Sequence, residues 1–339
     1  LAKAVLFYRI HATQLVLLIE SLILCGKNAT YKAKDFAYRL IESALENHSL
    51  EAKYQLTKYL SADRVLEKLH KIKYEQIQRL IENVNKNLQL PKSVTLAIDF
   101  TDKLFYGSKK LMDVIGTKGG NYARRFIEVS IVNPALFLNA FPVNMLTNNK
   151  VKLISGLIDG FKALYKKSEI GLLLLDRGFF TKAVVKYLVS NKIKFIMPAV
   201  KNREIKYIVE GCFKMKKSMI LDYKFGETNV YLVFVRIDGE VLVYMTNTRL
   251  NPLKVSLLYK KRWQIETNFR EQNNFEFKTC TLDFNARYFA FVLAGLLFNL
   301  WQLMRKGKIQ SYLFKQSLIC ELRNLWNEIM KIKDYEPVA

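Results

Sequence analysis

Two aspartates stand where short apolar runs stop. Val94 to Asp99 reads VTLAID, and Gly171 to Leu175, GLLLL, runs straight into Asp176. In an open α/β sheet, ligands bind beyond the carboxyl ends of the strands, so both side chains occupy a place suited to chemistry. Alone, such an acid serves equally well as a cap for the helix that follows. A third acid on a helix, Glu266, changes the balance. Three carboxylates can fix two divalent cations about 3.5–4 Å apart, one activating an attacking oxygen and the other stabilising a leaving oxygen. Magnesium prefers hard oxygen ligands of this kind and retains waters for the nucleophile. Asp102 is a weaker candidate for an added ligand.

Glu266 lies in a stretch that reads as one long helix, opened by Pro252 and running from Leu253 to about Asn273. At about 100° per residue, Tyr259, Arg262, Glu266, Arg270 and Asn273 share one narrow polar face. Leu258, Ile265 and Phe269 form a neighbouring apolar stripe that would anchor the helix to a core. An acid flanked by arginines and a tyrosine suits a metal ligand surrounded by phosphate-contacting groups. The competing reading is a surface helix with Arg–Glu pairs four residues apart. Trp263 is available to stack on an unpaired base, although packing under the helix is the expectation.

Positioning these acids requires a sheet. Val94–Asp99, Phe126–Val132, Leu136–Val143, Gly171–Leu175 and Phe195–Ala199 read as strands, and Val151–Tyr165 and Ala183–Val189 as helices. Such alternation implies an α/β core with part of its sheet parallel. From 201 to 250 the pattern turns to β, with Asp238-Gly239 between two β-branched runs as a hairpin signal. Residues 1–90 read as helices: Phe36–Leu45, Leu56–Leu69 and Ile77–Val84 place apolar residues three and four apart, and Ser61 offers an N-cap. Those helices suit a helix-turn-helix DNA binder and a plain bundle equally. The expected division is 1–90 helical and a candidate DNA-binding region, 91–200 the first part of the core, and 201–250 a β-rich insertion. Residues 251–305 form the second part of the core with the Glu266 helix, and 306–339 a C-terminal helical tail.

Composition narrows the partner. The 54 Lys and Arg against 30 Asp and Glu leave a formal net charge of +24. An excess that large, spread along the chain, argues for a polyanion, with nucleic acid first and an anionic membrane surface second. A lysine-biased proteome is the bland explanation. Cys25, Cys212, Cys280 and Cys320 lie far apart with no C-x-x-C pair, so neither a zinc site nor a disulfide framework is expected, and a cytoplasmic setting fits. His11, His48 and His70 read as surface or packing residues. Tyr288–Met304 is apolar but holds Asn299 and Gln302, and a buried core helix is expected over a membrane span. The sequence starts at Leu1, so its natural start is expected upstream.

At these residues the chain resembles a known family. Tyr259-x2-Arg262-x3-Glu266 is similar to the tyrosine–arginine–glutamate–lysine signature of a large group of bacterial and archaeal insertion-sequence transposases. LAIDFTDKLFYG resembles the strand carrying that family's leading acid, and LLLLDRGFF its second block. KGGNYARRFIEVSIVN resembles a segment of the halophile-type branch, and the likeness spans roughly residues 55–300. The resemblance implies an RNase H-like fold: a mixed five-stranded sheet flanked by helices, with a helical N-terminal region and a β-rich insertion before the catalytic glutamate helix. It implies a DDE triad of Asp99, Asp176 and Glu266 holding two Mg²⁺, with Mn²⁺ as a substitute. Tyr259, Arg262 and Arg270 would grip DNA phosphates. The implied reaction is phosphodiester hydrolysis at transposon ends, then attack of the freed 3′-hydroxyl on target DNA. Implied partners are double-stranded DNA, in the form of terminal inverted repeats and target, and a second copy of the chain. No membrane is implied, and the location is cytoplasmic, nucleoid-associated when on DNA. The signature's lysine position holds Asn273, with Lys278 and Arg270 as nearby cations, so a catalytically inactive DNA-binding relic is the alternative.

Overall fold

The computed structural model describes residues 2–57, 59–107, 111–117, 119–144, 148–215, 217–304 and 309–333. The chain divides into two compact units, Leu88–Phe269 and Leu1–Asn87 with Arg270–Ala339. All three candidate acids belong to the first of these.

The Leu88–Phe269 unit is built on a nine-stranded sheet. Its strands are β1 (Ser93–Phe105), β2 (Ile115–Gly116), β3 (Tyr122–Ile131), β4 (Leu136–Val143), β5 (Glu169–Leu175), β6 (Phe195–Pro198), β7 (Met219–Phe225), β8 (Thr228–Ile237) and β9 (Glu240–Thr246). The spatial order is β2-β3-β1-β5-β6-β9-β8-β7, and β4 shares the outer edge of β3 with β2. Strands β1, β5 and β6 run parallel, and the remaining pairings are antiparallel. Strands β4-β3-β1-β5-β6 are the mixed RNase H-like sheet. Strands β7–β9, the β-rich segment before the Glu266 helix, extend this same sheet through the β6–β9 pairing. The Asp238-Gly239 turn joins β8 to β9, with φ of 48° and 80°, the left-handed region a tight hairpin demands.

Helices cover both faces, and the pleat decides which residues meet them. Successive strand side chains point to opposite sides. Leu96, Ile98, Leu173 and Leu175 pack with Leu157 and Ile158 of α6 (Lys150–Leu164), Val184 and Leu188 of α7 (Lys182–Ser190), and Ile205 of α8 (Arg203–Met215). Ala97, Leu174, Ile196 and Val233 face the other way, against Val255 and Tyr259 of α9 (Pro252–Lys260) and Ile265 of α10 (Trp263–Asn273). The GLLLL run is apolar on both faces because both are covered. Helix α8 sits where β structure was expected; its Ile205, Ile208, Val209 and Cys212 follow a helical period and pack on the α6–α7 face.

The expected long helix from 252 to 273 is two helices. Between them the backbone bonds tighten from i→i−4 to i→i−3: Lys261 N donates to Leu258 O at 3.2 Å and Arg262 N to Tyr259 O at 2.8 Å. Gln264 N and Ile265 N do the same to Lys261 O and Arg262 O. Such a turn carries three residues rather than 3.6, so residues three apart eclipse. Arg262 is thereby stacked on Tyr259 and swung off the face that a continuous helix would give it.

The other unit is helical in its described residues: α1 (Ala2–Glu20), α2 (Ala33–Glu46), α3 (Leu50–Thr57), α4 (Ala62–Leu69), α5 (Tyr74–Asn85), α11 (Phe284–Met304) and α12 (Ser311–Lys333). The run read as 56–69 is interrupted at Leu60, whose φ of 50° no helix tolerates. Helices α2, α4 and α5 pack against α11. Among the described residues α11 alone is long and apolar enough to cross a membrane, yet 78% of its most apolar window is buried inside the protein, as in a core helix.

Candidate active site

Asp99 and Asp176 lie on the α9–α10 face of the sheet by pleat parity. Ala97 pairs with Leu174 across the parallel β1–β5 ladder, which ends at Ile98 and Leu175. Each aspartate stands two residues beyond a member of that pair, on neighbouring strands. Strand β1 does not stop at Asp99 as the apolar run suggested. It continues to Phe105 paired with β3, and among the described residues its β5-side edge has no ladder partner beyond Ile98. Asp99 therefore sits at the mouth of a notch in the sheet.

Local bonds fix both acids. Asp99 Oδ1 accepts from its neighbour Phe100 N at 2.8 Å. Asp176 N-caps the short 3₁₀ turn Arg177–Phe179, its Oδ2 accepting from Gly178 N at 3.2 Å. Phe179 is fully buried, and its ring stacks on Phe100 at 4.7 Å and 11°. Residues adjoining the two acids are thus clamped by one aromatic pair. Lys150 Nζ donates to Gly178 O at 2.6 Å; no spacing in the sequence announces this tie, because it joins α6 to the turn only in the fold.

Glu266 lies in the first turn of α10. It meets Asp99 through an arginine. Arg262 Nη1 donates to Asp99 Oδ2 at 2.5 Å and Nη2 to Glu266 Oε1 at 2.6 Å. The Arg262 guanidinium also lies 5.5 Å from the Tyr259 ring centre, and that ring packs at 5.1 Å on Tyr244. Tyr259 and Arg262, expected on one polar face with Glu266, are only 8% and 7% exposed. The tightened turn is the cause. Trp263 is displaced the opposite way and is 63% exposed rather than packed. Arg270 is exposed on α10 and belongs to the other unit.

Burial is the dominant electrostatic fact. It pushes Asp99 up to about 6, against the pull of Arg262, with further push from Asp176 and Glu266. Tyr259 is raised by burial above the usual phenol range. Asp102 is removed as a ligand: it faces the opposite side of β1 and is held in a two-pronged pair by Arg125, at 2.7 Å on both arms. Glu128, the cross-strand partner of Asp99 on β3, was not foreseen; it is fully buried and accepts from Ser130. Among the described residues no three acidic, histidine or cysteine side chains stand close enough to grip one metal ion as placed. Arg262 occupies the space between two of them.

Residues 137–300 match the transposase DDE domain family. The match includes Asp176, Arg262 and Glu266 and begins after Asp99. No curated protein matches the chain. A solved structure described as the cryo-EM structure of piggyBac transposase synaptic complex with hairpin DNA is similar, with a TM-score of 0.65 and 15% sequence identity. That match covers 98% of this chain and 82% of the other, and at this identity it establishes the shared fold.

Proposed function

We propose that the chain is a DNA transposase in which Asp99, Asp176 and Glu266 hold two Mg²⁺ ions, with Mn²⁺ accepted. The observation that carries this reading is the gathering of Asp99 and Glu266 on one buried guanidinium, with Asp176 on the adjoining strand. The donor set fits the metal: hard carboxylate oxygens, among which Asp99 is raised by burial despite the pull of Arg262. Bound there, the ions would activate the attacking oxygen and stabilise the leaving one.

The chain's own residues supply the rest. The Phe100–Phe179 stack and the Gly178 bond set the spacing of the two strand acids. Tyr259 holds the turn that aims Arg262. Arg262, Arg270 and Tyr259 are assigned to the phosphates near the cut, and exposed Trp263 to an unstacked base. The net charge of +24 suits duplex DNA at transposon ends and target. Residues 1–90 are assigned to DNA binding, and two copies to the active complex in the cytoplasm. We place the chain in the tyrosine–arginine–glutamate group, near its halophile-type branch, with Asn273 in place of the lysine.

The test is strand cleavage. Purified protein with duplexes carrying the ends of its own element should cut at those ends with Mg²⁺ and not with EDTA, and the freed 3′ ends should join a second duplex. Binding without cleavage at any Mg²⁺ or Mn²⁺ level would make it the inactive relic.

Asp99 gives the reading a pH signature. Its raised value favours the protonated carboxyl in the fold. The metal-free chain should therefore gain stability as pH falls through about 6 toward the ordinary value of 3.8, and lose that contribution as pH rises through 6. A metal needs the ionised form, so Mn²⁺ affinity should fall about tenfold per pH unit below 6 and flatten above it. Calorimetric titrations between about pH 5 and 7.5 read this directly. A flat affinity across that range would remove Asp99 from the ligand set.

A further inference from the structure

We propose that Arg262 is a resident stand-in for the metal: it holds Asp99 and Glu266 together in the metal-free chain and is expelled toward the DNA backbone when divalent ions load. This rests on the reading of the three acids as a metal site, and it assigns Arg262 a role that precedes DNA.

Three observations support it. First, the guanidinium does not form a two-pronged pair with one carboxylate, the geometry in which its parallel donors are strongest. It spends one nitrogen on each of two acids, Nη1 on Asp99 and Nη2 on Glu266, at 2.5 and 2.6 Å. Cross-linking two carboxylates is what a cation in a polycarboxylate site does. Second, the fit is incomplete. Arg262 Nε is buried with no hydrogen-bond partner, a cost that leaving the pocket would relieve. Third, the exit is prepared. Residues 261 and 262 lie at the junction of α9 and α10, where the backbone is held by the tighter i→i−3 bonds. On the Glu266 side the bridge is open to water, that carboxylate being 41% exposed against 13% for Asp99.

Competition follows from charge. Asp99 Oδ2 and Glu266 Oε1 cannot serve a guanidinium and a divalent ion at once, because two cations against the same oxygens repel. Once displaced, the guanidinium remains tethered one helical turn from Glu266 and needs an anion. The phosphodiester that the acids are to cut is the anion at hand. Metal loading and DNA engagement are thereby linked: the ion frees the arginine, and the arginine takes the phosphate.

The experiment uses the full chain without DNA and Mn²⁺ alone as probe. Wild type, Arg262→Ala, Arg262→Lys and Asp99→Asn are compared by calorimetric titration and by thermal unfolding with and without Mn²⁺. An ion that must first evict a competitor binds with an affinity reduced by the fraction of sites already vacated. Arg262→Ala should therefore bind Mn²⁺ at least about tenfold tighter than wild type. It should also unfold at lower temperature when metal-free and recover more on Mn²⁺ addition. Arg262→Lys should fall between, since one ammonium cannot span both acids. A second readout needs no variant: the arginine side-chain nitrogen resonance of Arg262 should shift and gain solvent exchange on Mg²⁺ addition. If wild type binds Mn²⁺ and Asp99→Asn does not, yet Arg262→Ala binds no tighter and the resonance is unmoved, the stand-in role is wrong while the metal site stands. If wild type binds no Mn²⁺, both readings fall.

Discussion

Glu266→Gln should cut Mg²⁺-dependent cleavage by about 10³-fold or more, the scale on which losing one member of a catalytic unit is felt, while metal-free DNA binding persists or tightens. The substitution is informative because so little else changes. Glutamine keeps the length of the side chain and an oxygen that can still accept from Arg262 Nη2, so the bridge and the start of α10 survive. What disappears is the negative charge, which a metal needs and a nearby phosphate resents. Arg262→Ala should behave differently, weakening engagement of the transposon end as well as chemistry. Cleavage and gel-shift assays on one preparation separate the two. Cleavage by Glu266→Gln at near wild-type rate would make Glu266 an ordinary surface acid.

Binding to the end duplex should collapse with salt. Each phosphate neutralised by Lys or Arg releases counterions, and about 6–10 such contacts cost about 10³–10⁵ in affinity between 50 and 200 mM salt. With 54 basic residues the chain can supply that many without special arrangement. A titration of affinity against salt on end-sequence and unrelated duplexes gives the slope for each. A flat profile would mean that DNA is not the polyanion this charge serves.

The sheet was legible because its signals are local. GLLLL can only be a strand covered on both faces, and Asp238-Gly239 between β-branched runs can scarcely be anything but a hairpin. Asp176 follows directly where its run stops, whereas β1 continues past Asp99 to Phe105. The apolar anchoring of Leu258, Ile265 and Phe269 was also readable, and all three pack in the α9-side core.

What escaped the sequence was non-local. Nothing in YKKRWQIE distinguishes a continuous helix from one that tightens for a turn; the guanidinium buried there reaches Asp99, 163 residues away in sequence. That single shift in phase buries Arg262 and turns Trp263, expected to pack, outward. Glu128 was missed for a similar reason: its nearness to Asp99 comes from the β1–β3 register, which no local pattern encodes. Helix α8 was hidden inside a stretch whose flanking segments are all β.

The far edge of the sheet has a consequence of another kind. Strand β7 pairs with β8 on one side, and among the described residues no strand pairs with its other side. A row of unclaimed backbone groups is an invitation to a foreign strand. Asp222 and Lys224 are both exposed on β7, one of each sign within three residues. A strand docking there would have to strip water from both charges at once. The two charges thereby guard the edge against fibril-like stacking.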